Sequence, residues 1–254
     1  MSTALFPDLK NKVVFITGGG SGIGAGMVRA FAQQGAKPAF VSLSEDPADA
    51  LCDSVEQETG IRPLYIQCDI TDLDALKTAI TQVQSQLGPI GILINNAARD
   101  LRHDLIDYSP ADWDKAMHTN LRPHFFTAQA VIEDMRALGG GSIINLGSNA
   151  ALLGLAGYAS YVTAKAGIIG LSKALARELG PDNIRVNTLI PGWVMTARQK
   201  ELWVTPEAIE QCLSEQSLKR SIEVQDVTQP ALFLASQASA MITGQMLIVD
   251  GGRV

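Results

Sequence analysis

The feature that most constrains the fold lies near the start of the chain, where a short apolar run ends in a cluster of glycines. Residues Val13–Thr17 read VVFIT, are rich in β-branched side chains and show no polar alternation. Such a run is typical of a β-strand that is buried on both faces. The sequence TGGGSGIG follows at 17–24, and from Gly22 onward the pattern predicts a helix that closes at Gly35. The chain therefore begins with a buried strand, a tight turn and a helix.

Strand-like and helix-like segments alternate along the rest of the chain. Further strands are predicted at Pro38–Leu43, Leu64–Gln67, Ile92–Ile94, Ser142–Leu146, Arg185–Ile190 and Met246–Val249. Further helices are predicted at Pro47–Thr59, Asp72–Leu87, Pro110–Leu138 with a bend at Pro123, Tyr158–Leu179 and Gln225–Ser236. This alternation is typical of an α/β fold, with one doubly wound parallel sheet of about seven strands and helices on both faces. Residues 1–254 contain no linker, repeat or low-complexity segment, so we predict a single domain.

Charge and composition exclude several classes of function. The 254 residues carry 20 basic and 26 acidic side chains, which gives a net charge of −6. With no basic run, this argues against nucleic-acid and anionic-membrane surfaces. The sequence shows no signal peptide and no apolar run of the roughly 20 residues that a membrane span needs. Its 3 cysteines and 3 histidines lack disulfide or metal-ligand spacing, so we expect a cytoplasmic protein without a metal.

The glycine turn is the place where a dinucleotide is expected to bind. Ligands of parallel α/β sheets bind beyond the carboxyl ends of the strands, where glycines let the backbone approach a pyrophosphate at a helix N-terminus. Here Gly18, Gly22 and Gly24 have the spacing Gly-x-x-x-Gly-x-Gly. Ser42 stands where an acidic residue would bind the adenosine ribose, and Ser21 where an arginine could bind a 2′-phosphate. The choice between NAD and NADP stays open, and we expect tolerance of both.

The next two strand ends complete the expected cofactor cleft. Asp69 and Ile70 end the third strand and are placed to meet the adenine ring. Asn95 and Asn96 end the fourth strand, where their side-chain amides can tie adjacent strands together and line the cleft. An Asn-Asn pair is also common in ordinary turns.

The stretch from Ser148 to Lys165 carries residues that can do chemistry. Tyr161 and Lys165 are four positions apart, so on a helix their side chains share one face. The ammonium is expected to favour the phenolate, which makes Tyr161 a candidate acid/base group near neutral pH. Ser148 can offer a second hydroxyl to the same substrate oxygen. Tyr158 has Val162 four positions on, so we assign it to packing or to the substrate wall.

Together these motifs resemble those of the short-chain dehydrogenase/reductase family. The matching pieces are TGGGSGIG at 17–24, Asp69, NNAA at 95–98, Asn120, Ser148, YVTAK at 161–165, PGWVMT at 191–196 and GQMLIVDGG at 244–252. The resemblance implies a Rossmann-type fold and an NAD- or NADP-dependent oxidoreductase that acts on CH–OH groups. One departure is Ala98, where the family usually has glycine.

The resemblance also implies a role for each matching residue. Tyr161 is the acid/base, Lys165 lowers its pKa and binds the nicotinamide ribose, and Ser148 polarises the substrate oxygen. Asn120 holds a helix irregularity and a water that continues a proton path from Lys165. The implied cofactor-binding residues are Gly18, Ser21, Gly22, Ile23, Gly24, Ser42, Asp69, Ile70, Asn96, Ala97, Tyr161, Lys165, Pro191, Gly192, Val194 and Thr196.

Two variable segments resemble those of the bacterial sugar branch of the family, the aldose 1-dehydrogenases. Arg102-His103 and the string from Arg198 to Glu207 carry this resemblance, which implies oxidation of the anomeric hydroxyl of a free aldose to the lactone. The pair Arg102-His103 also fits a solvated loop with an ion pair to Asp100 or Asp104. The candidate substrate residues are Ser148, Asn149, Tyr161, Arg99 and Trp193, with Trp203 as an alternative wall.

Residues 196–221 form a long polar insertion before the last helix, and we interpret them as a substrate lid or, alternatively, a packed surface excursion. Two other functions remain open: a carbonyl or 3-oxoacyl reductase, and a cofactor-binding regulator without catalysis. The polar insertion argues against an acyl-chain tunnel, and the complete catalytic set argues against the regulator. Relatives are usually homotetramers, so the resemblance implies a homo-oligomer.

Overall fold

The computed structural model describes residues 4–254. Its strands are β1 (Val13–Thr17), β2 (Lys37–Ser42), β3 (Leu64–Gln67), β4 (Ile90–Asn95), β5 (Gly141–Leu146), β6 (Ile184–Pro191) and β7 (Met246–Val249). Its α-helices are α1 (Gly22–Gln33), α2 (Glu45–Thr59), α3 (Leu73–Leu87), α4 (Pro110–Asn120), α5 (Arg122–Ala137), α6 (Asn149–Leu153), α7 (Ala159–Leu179), α8 (Ala197–Leu202), α9 (Pro206–Glu215) and α10 (Val224–Ala235). Residues 1–3 of the predicted domain lie outside the described part.

The strands form one parallel sheet in the order β3-β2-β1-β4-β5-β6-β7. The order reverses between β1 and β4, and the crevice at such a switch point is where α/β sheets bind ligands. Thr17 of β1 pairs with Asn95 of β4, which in turn pairs with Asn145 of β5, so three central strands end at the same level. The predicted fold class and strand number are confirmed.

Helices cover both faces of the sheet. Successive side chains of a strand point to opposite faces. On β1, Val14 and Ile16 belong to a core packed by α1 and α10, whereas Val13 and Phe15 belong to a second core packed by α3, α5 and α7. All residues of β1 are buried, which accounts for its uninterrupted apolar run.

The predicted helix Pro110–Leu138 is in fact two helices. It breaks at Leu121, whose φ of −130° and ψ of −54° lie outside the helical region. Pro123 lies in the first turn of α5, where a missing N–H needs no partner, so it begins a helix rather than bending one. This break places Asn120 at the C-terminus of α4.

Three short helices were not predicted. α6 directly follows Ser148, and α8 and α9 lie within residues 196–221. Thr196 and Thr205 begin the latter two, because each hydroxyl accepts a hydrogen bond from a backbone N–H in the first turn. Elsewhere the differences are at element ends; for example, α2 begins at Glu45 rather than at Pro47.

Candidate active site

One large cleft crosses the carboxyl ends of the strands at the switch point. Its volume is about 1370 Å³. All the residues predicted to bind cofactor or substrate line it, as do Ser148, Tyr161 and Lys165. The remaining predicted catalytic residue, Asn120, is buried and contacts the lining residue Arg99. The fold therefore brings the predicted site residues together.

The glycine turn closes one end of the cleft. A Cβ placed on Gly24 would come within 2.0 Å of the Gly18 carbonyl oxygen, so α1 can begin this close to β1 only with glycine here. Gly18 itself has a φ of +67°, a left-handed conformation that favours glycine. Asn96 fixes the turn, since its Nδ2 donates to the carbonyl oxygens of Thr17 and Gly18, both at 3.0 Å.

The N-terminus of α1 opens onto the same end of the cleft. Ser21 is its exposed N-cap residue, and within residues 4–254 its hydroxyl makes no capping hydrogen bond. The backbone N–H groups of the first turn therefore stay available, and the helix dipole makes them an anion site. The pyrophosphate of a dinucleotide fits this combination of a bare glycine turn and uncapped amides.

We expect Gly24→Ala to raise the Kd of reduced nicotinamide cofactor by about a hundredfold, because several amide hydrogen bonds to the pyrophosphate would be displaced together. The added Cβ would push apart α1 and the Gly18 carbonyl. Gly170→Ala is the matched control, since a Cβ there meets nothing within 4 Å. Fluorescence titration of both variants measures the effect; wild-type affinity in Gly24→Ala would mean that the turn does not hold the dinucleotide.

At the end of β2 the cleft carries the hydroxyl of Ser42, at the position where an acidic residue would bind a ribose. Ser42 is the last residue of β2, and its Oγ would lie 2.5 Å from a Cβ on Gly20, so hydroxyl and glycine turn are in close contact. Asp69 stabilises its own turn: Oδ1 accepts from the N–H and the hydroxyl of Thr71 at 2.9 and 2.8 Å. Both residues line the cleft.

Ser148, Tyr161 and Lys165 meet at the opposite end. Ser148 caps α6 and accepts from the N–H of Ala150 at 3.2 Å. Tyr161 and Lys165 share one face of α7, as their spacing predicts, and Nζ lies 5.7 Å from the centre of the tyrosine ring. The lysine is 1% exposed and donates to the carbonyl oxygen of Leu146 at 2.7 Å.

Burial changes the protonation equilibria of this pair. It raises the pKa of the Tyr161 phenol well above the ordinary value, and a hydrogen-bonding contact with Ser148 offsets only part of the rise. It lowers the pKa of Lys165 to about 7, an effect that the charge of Asp100 opposes. Burial therefore raises the net pKa of the phenol, and the effect of Lys165 on it stays a prediction. At pH 7 the Lys165 amine is itself only partly protonated.

Asn120 fixes the loop that follows β4. Its Oδ1 accepts from the N–H of Arg99 at 2.7 Å, and its Nδ2 donates to the Arg99 carbonyl oxygen at 3.1 Å. The Arg99 side chain is exposed at the cleft. Within residues 4–254 positive φ among non-glycine residues occurs only at Asn11 and Asn183, so Ala98 replaces the family's glycine without backbone strain.

The pair Arg102-His103 is packed rather than ion-paired with its neighbours. The Arg102 guanidinium lies 4.1 Å from the ring centre of Trp203. His103 Nε2 hydrogen bonds to a serine hydroxyl on α7 at 3.1 Å. The ion pair of Asp100 is with Arg198 of α8, at 3.5 Å. Arg102 is exposed, as the alternative of a solvated loop predicts, but within residues 4–254 it forms no ion pair with Asp100 or Asp104.

Two predicted substrate residues are held by other side chains. Asn149 is buried, and its Nδ2 donates to Asp250 Oδ2 at 3.3 Å. The indole N–H of Trp193 donates to Gln199 Oε1 at 2.9 Å. Gln199 and its partner Asp100 line the cleft but were not predicted as site residues. No local motif marks them, because they are 99 positions apart in the sequence.

Residues 196–221 contain two parts with different attachments. Side chains of α8 line the cleft beside Trp193. By contrast, the end of α9 is bound to the C-terminal segment, since Glu215 forms an ion pair with Arg253 and the N–H of Ser217 donates to the Gly251 carbonyl at 2.9 Å. The middle of α9 nevertheless lines the cleft through Ala208, Gln211 and Cys212, so both helices border it.

The cysteines and histidines take no part in a metal site within the described range. Among residues 4–254, no three His, Cys, Asp or Glu side chains are grouped so as to hold a metal ion. Cys52, Cys68 and Cys212 are buried thiols. In that same part of the chain no helix is long and apolar enough to cross a membrane.

Residues 18–253 match the family described as enoyl-(acyl carrier protein) reductase. Over 252 residues the chain is 47% identical to a Rhizobium meliloti protein described as a probable galactose dehydrogenase, covering 99% of this chain and 98% of that one. It is 45% identical to the D-xylose 1-dehydrogenase of Caulobacter vibrioides over 99% of both chains. A 7α-hydroxysteroid dehydrogenase solved with NADH and 7-oxo glycochenodeoxycholic acid is 33% identical and superposes with a TM-score of 0.92, covering 97% of this chain and 96% of that chain. With its glycine turn and its Ser148, Tyr161 and Lys165 in one cleft, the chain belongs to the short-chain dehydrogenase/reductase family of oxidoreductases, which use NAD or NADP.

Proposed function

We propose that the protein is an aldose 1-dehydrogenase, which oxidises the anomeric hydroxyl of a free pentose, hexose or deoxyhexose to the lactone. The observation that carries this proposal is the wall of aromatic and polar side chains beside Tyr161, which includes Trp193 and Asp100. A flat ring surface with hydrogen-bonding groups around it suits a sugar ring. The substrates in the names of the relatives that are 47% and 45% identical support the same class.

In this proposal Tyr161 is the general base. Its phenolate takes the proton of the anomeric hydroxyl, while Ser148 donates a hydrogen bond to the same oxygen. An oxidised nicotinamide held in the cleft would supply the acceptor for the hydride of the anomeric carbon, so that the carbon–oxygen double bond of the lactone can form. Lys165 stabilises the phenolate and the charge that develops on the oxygen. Asn120 positions the adjoining loop and the proton path from Lys165.

The dinucleotide would be held along the rest of the cleft. The glycine turn and Ser21 would bind the pyrophosphate, Ser42 the adenosine ribose, and Asp69 with Ile70 the adenine. Asn96, Ala97 and the segment from Pro191 to Thr196 would surround the nicotinamide and its ribose. We propose that NAD and NADP both serve, because Ser42 has no carboxylate to repel a 2′-phosphate.

Reduction of a carbonyl or 3-oxoacyl group is the alternative that the family description favours. The same four catalytic residues would serve that direction. An acyl chain, however, needs an apolar channel, and the wall beside Tyr161 carries Asp100, Arg102 and Gln199. A regulator without catalysis is supported less, since all four residues are present.

A panel of free aldoses with NAD and with NADP tests the proposal, read as absorbance of the reduced cofactor. We expect turnover of at least one aldose and none of its methyl glycoside, which lacks a free anomeric hydroxyl. Catalytic efficiencies with the two cofactors should differ by far less than about a thousandfold, the scale of a strict charge-based preference. Turnover of 3-oxoacyl thioesters with none of any aldose would favour the alternative.

We further propose that residues 1–254 act as one catalytic domain, with residues 196–221 as its substrate lid, in the cytoplasm and as a homotetramer. The buried thiols suit a reducing compartment. Met246 and Ile248 on the edge strand β7 are 40% and 39% exposed and offer an apolar edge to a second copy. Light scattering that gives the mass of one chain would contradict the tetramer.

A further inference from the structure

A short chain of hydrogen bonds joins three separate segments at the substrate end of the cleft. Trp193, two residues beyond β6, donates from Nε1 to Gln199 Oε1 on α8 at 2.9 Å. The Nε2 of Gln199 donates to Asp100 Oδ2, on the loop after β4, at 2.8 Å. An indole N–H can only donate, which fixes the orientation of the Gln199 amide. Asp100 must therefore be the acceptor that ends the chain.

The same loop holds α8 at two further points. At the start of the helix, Arg198 lies 3.5 Å from Asp100 Oδ1. Just beyond its end, the ring of Trp203 lies under the Arg102 guanidinium at 4.1 Å. A cation over an indole face is attractive. The loop and α8 thus form one wall, attached at both ends of the helix.

This wall continues to the catalytic tyrosine. Arg102 also lies 5.7 Å from the ring centre of Tyr158, and Tyr158 stacks on Tyr161 with 5.6 Å between ring centres. The titratable groups that act on Tyr161 or Lys165 are Asp100 and Tyr158, and burial, with help from Lys165, keeps His124 neutral by lowering its pKa. Of these, only Asp100 brings a negative charge at neutral pH.

We propose that Asp100 is a positioning residue for the sugar: through Gln199 it fixes Trp193 and α8 as the substrate-facing wall. This inference rests on the proposed function and deepens it, because it names the group that holds the sugar-binding surface in place. The side chain of Asp100 is 25% exposed, and both oxygens are engaged, so it acts through its partners rather than through an open carboxylate.

The test compares Asp100→Ala and Asp100→Asn with Asp104→Asn, a control in the same loop whose carboxylate is exposed. Loss of a hydrogen bond to a charged group should raise the aldose KM of Asp100→Ala by about tenfold or more, with the Kd of reduced cofactor unchanged. Asparagine keeps an acceptor for Gln199, so the KM of Asp100→Asn should rise less. Asp104→Asn should match the wild type.

Two further readouts separate positioning from a merely structural effect. The charge of Asp100 raises the pKa of Tyr161, so the acid limb of the oxidation rate in Asp100→Asn should move to lower pH. Gln199→Leu should reproduce the KM of Asp100→Ala, and the double variant should add little, because both changes break one chain. An unchanged aldose KM in a folded Asp100→Ala, an unshifted pH limb, or additive effects would overturn the proposal.

Hydrogen exchange provides a readout that does not need a substrate. With reduced cofactor bound, the amides of residues 197–203 should exchange faster in Asp100→Ala and Gln199→Leu than in the wild type. Wild-type protein that oxidises no aldose would contradict the proposed function alone. Equal exchange in variants and wild type would contradict the role of Asp100 alone.

Discussion

Replacing Tyr161 by phenylalanine should lower kcat for aldose oxidation by about 10³- to 10⁴-fold, which is the upper range for a well-placed general base. The variant keeps the ring that stacks on Tyr158 and loses only the hydroxyl. The packing of α7 and the affinity for reduced cofactor should therefore survive. Cofactor reduction at saturating aldose measures the first effect, and fluorescence titration measures the second.

Tyr158→Phe is the matched comparison, because this tyrosine lines the same cleft and stacks on Tyr161. We expect a loss of less than about tenfold, since the Tyr158 hydroxyl transfers no proton in the proposed reaction. Near-normal turnover in Tyr161→Phe, or a larger loss of turnover in Tyr158→Phe than in Tyr161→Phe, would show that Tyr161 is not the general base.

Lys165→Met should separate catalysis from stability. We expect kcat to fall by about 10³-fold, because the charge that stabilises the phenolate and the substrate oxygen is removed. At the same time the cofactor-free protein should become more stable near neutral pH. Burial lowers the pKa of this lysine from its ordinary 10.5 to about 7, so the folded state disfavours its protonated form. Methionine has no charge to desolvate. The stability gained by avoiding this desolvation should exceed the stability lost with the hydrogen bond to Leu146.

The pH dependence of this stability difference has a definite sign. Between pH about 7 and about 10.5 the unfolded chain holds a proton on Lys165 that the folded chain has lost, so wild-type stability rises with pH in this window. The stability of Lys165→Met lacks that rise. The variant is therefore more stable than the wild type by the largest amount below pH 7, and the difference fades toward pH 10. Unfolding at several pH values measures it, with the exposed Lys173→Met on the same helix as control. A variant less stable than the wild type at about pH 6 would show that the ammonium stabilises the fold.

The order of the elements and the place of the site could be predicted because local patterns carry them. The run at Val13–Thr17 is apolar throughout because both faces of β1 are covered. Gly24 is a glycine because the Gly18 carbonyl leaves no room for a side chain. Tyr161 and Lys165 share a face because four positions nearly complete one helical turn.

Other features depend on contacts between distant segments. Spacing predicts that Lys165 lies beside Tyr161, but it does not show how much water both side chains lose. That loss raises the pKa of the phenol. The helices α6 and α8 are too short to show a period in the sequence. The chain from Asp100 through Gln199 to Trp193 exists only once three segments meet at the sheet edge.

The most direct test of anomeric oxidation uses an aldose that carries deuterium at C1, chosen from the substrates of the panel. We expect the deuterium to appear on the nicotinamide ring of the reduced cofactor, with an unlabelled lactone as the product, as read by NMR and mass spectrometry. Deuterium retained in the oxidised sugar would mean that hydride leaves another carbon, and it would contradict an aldose 1-dehydrogenase.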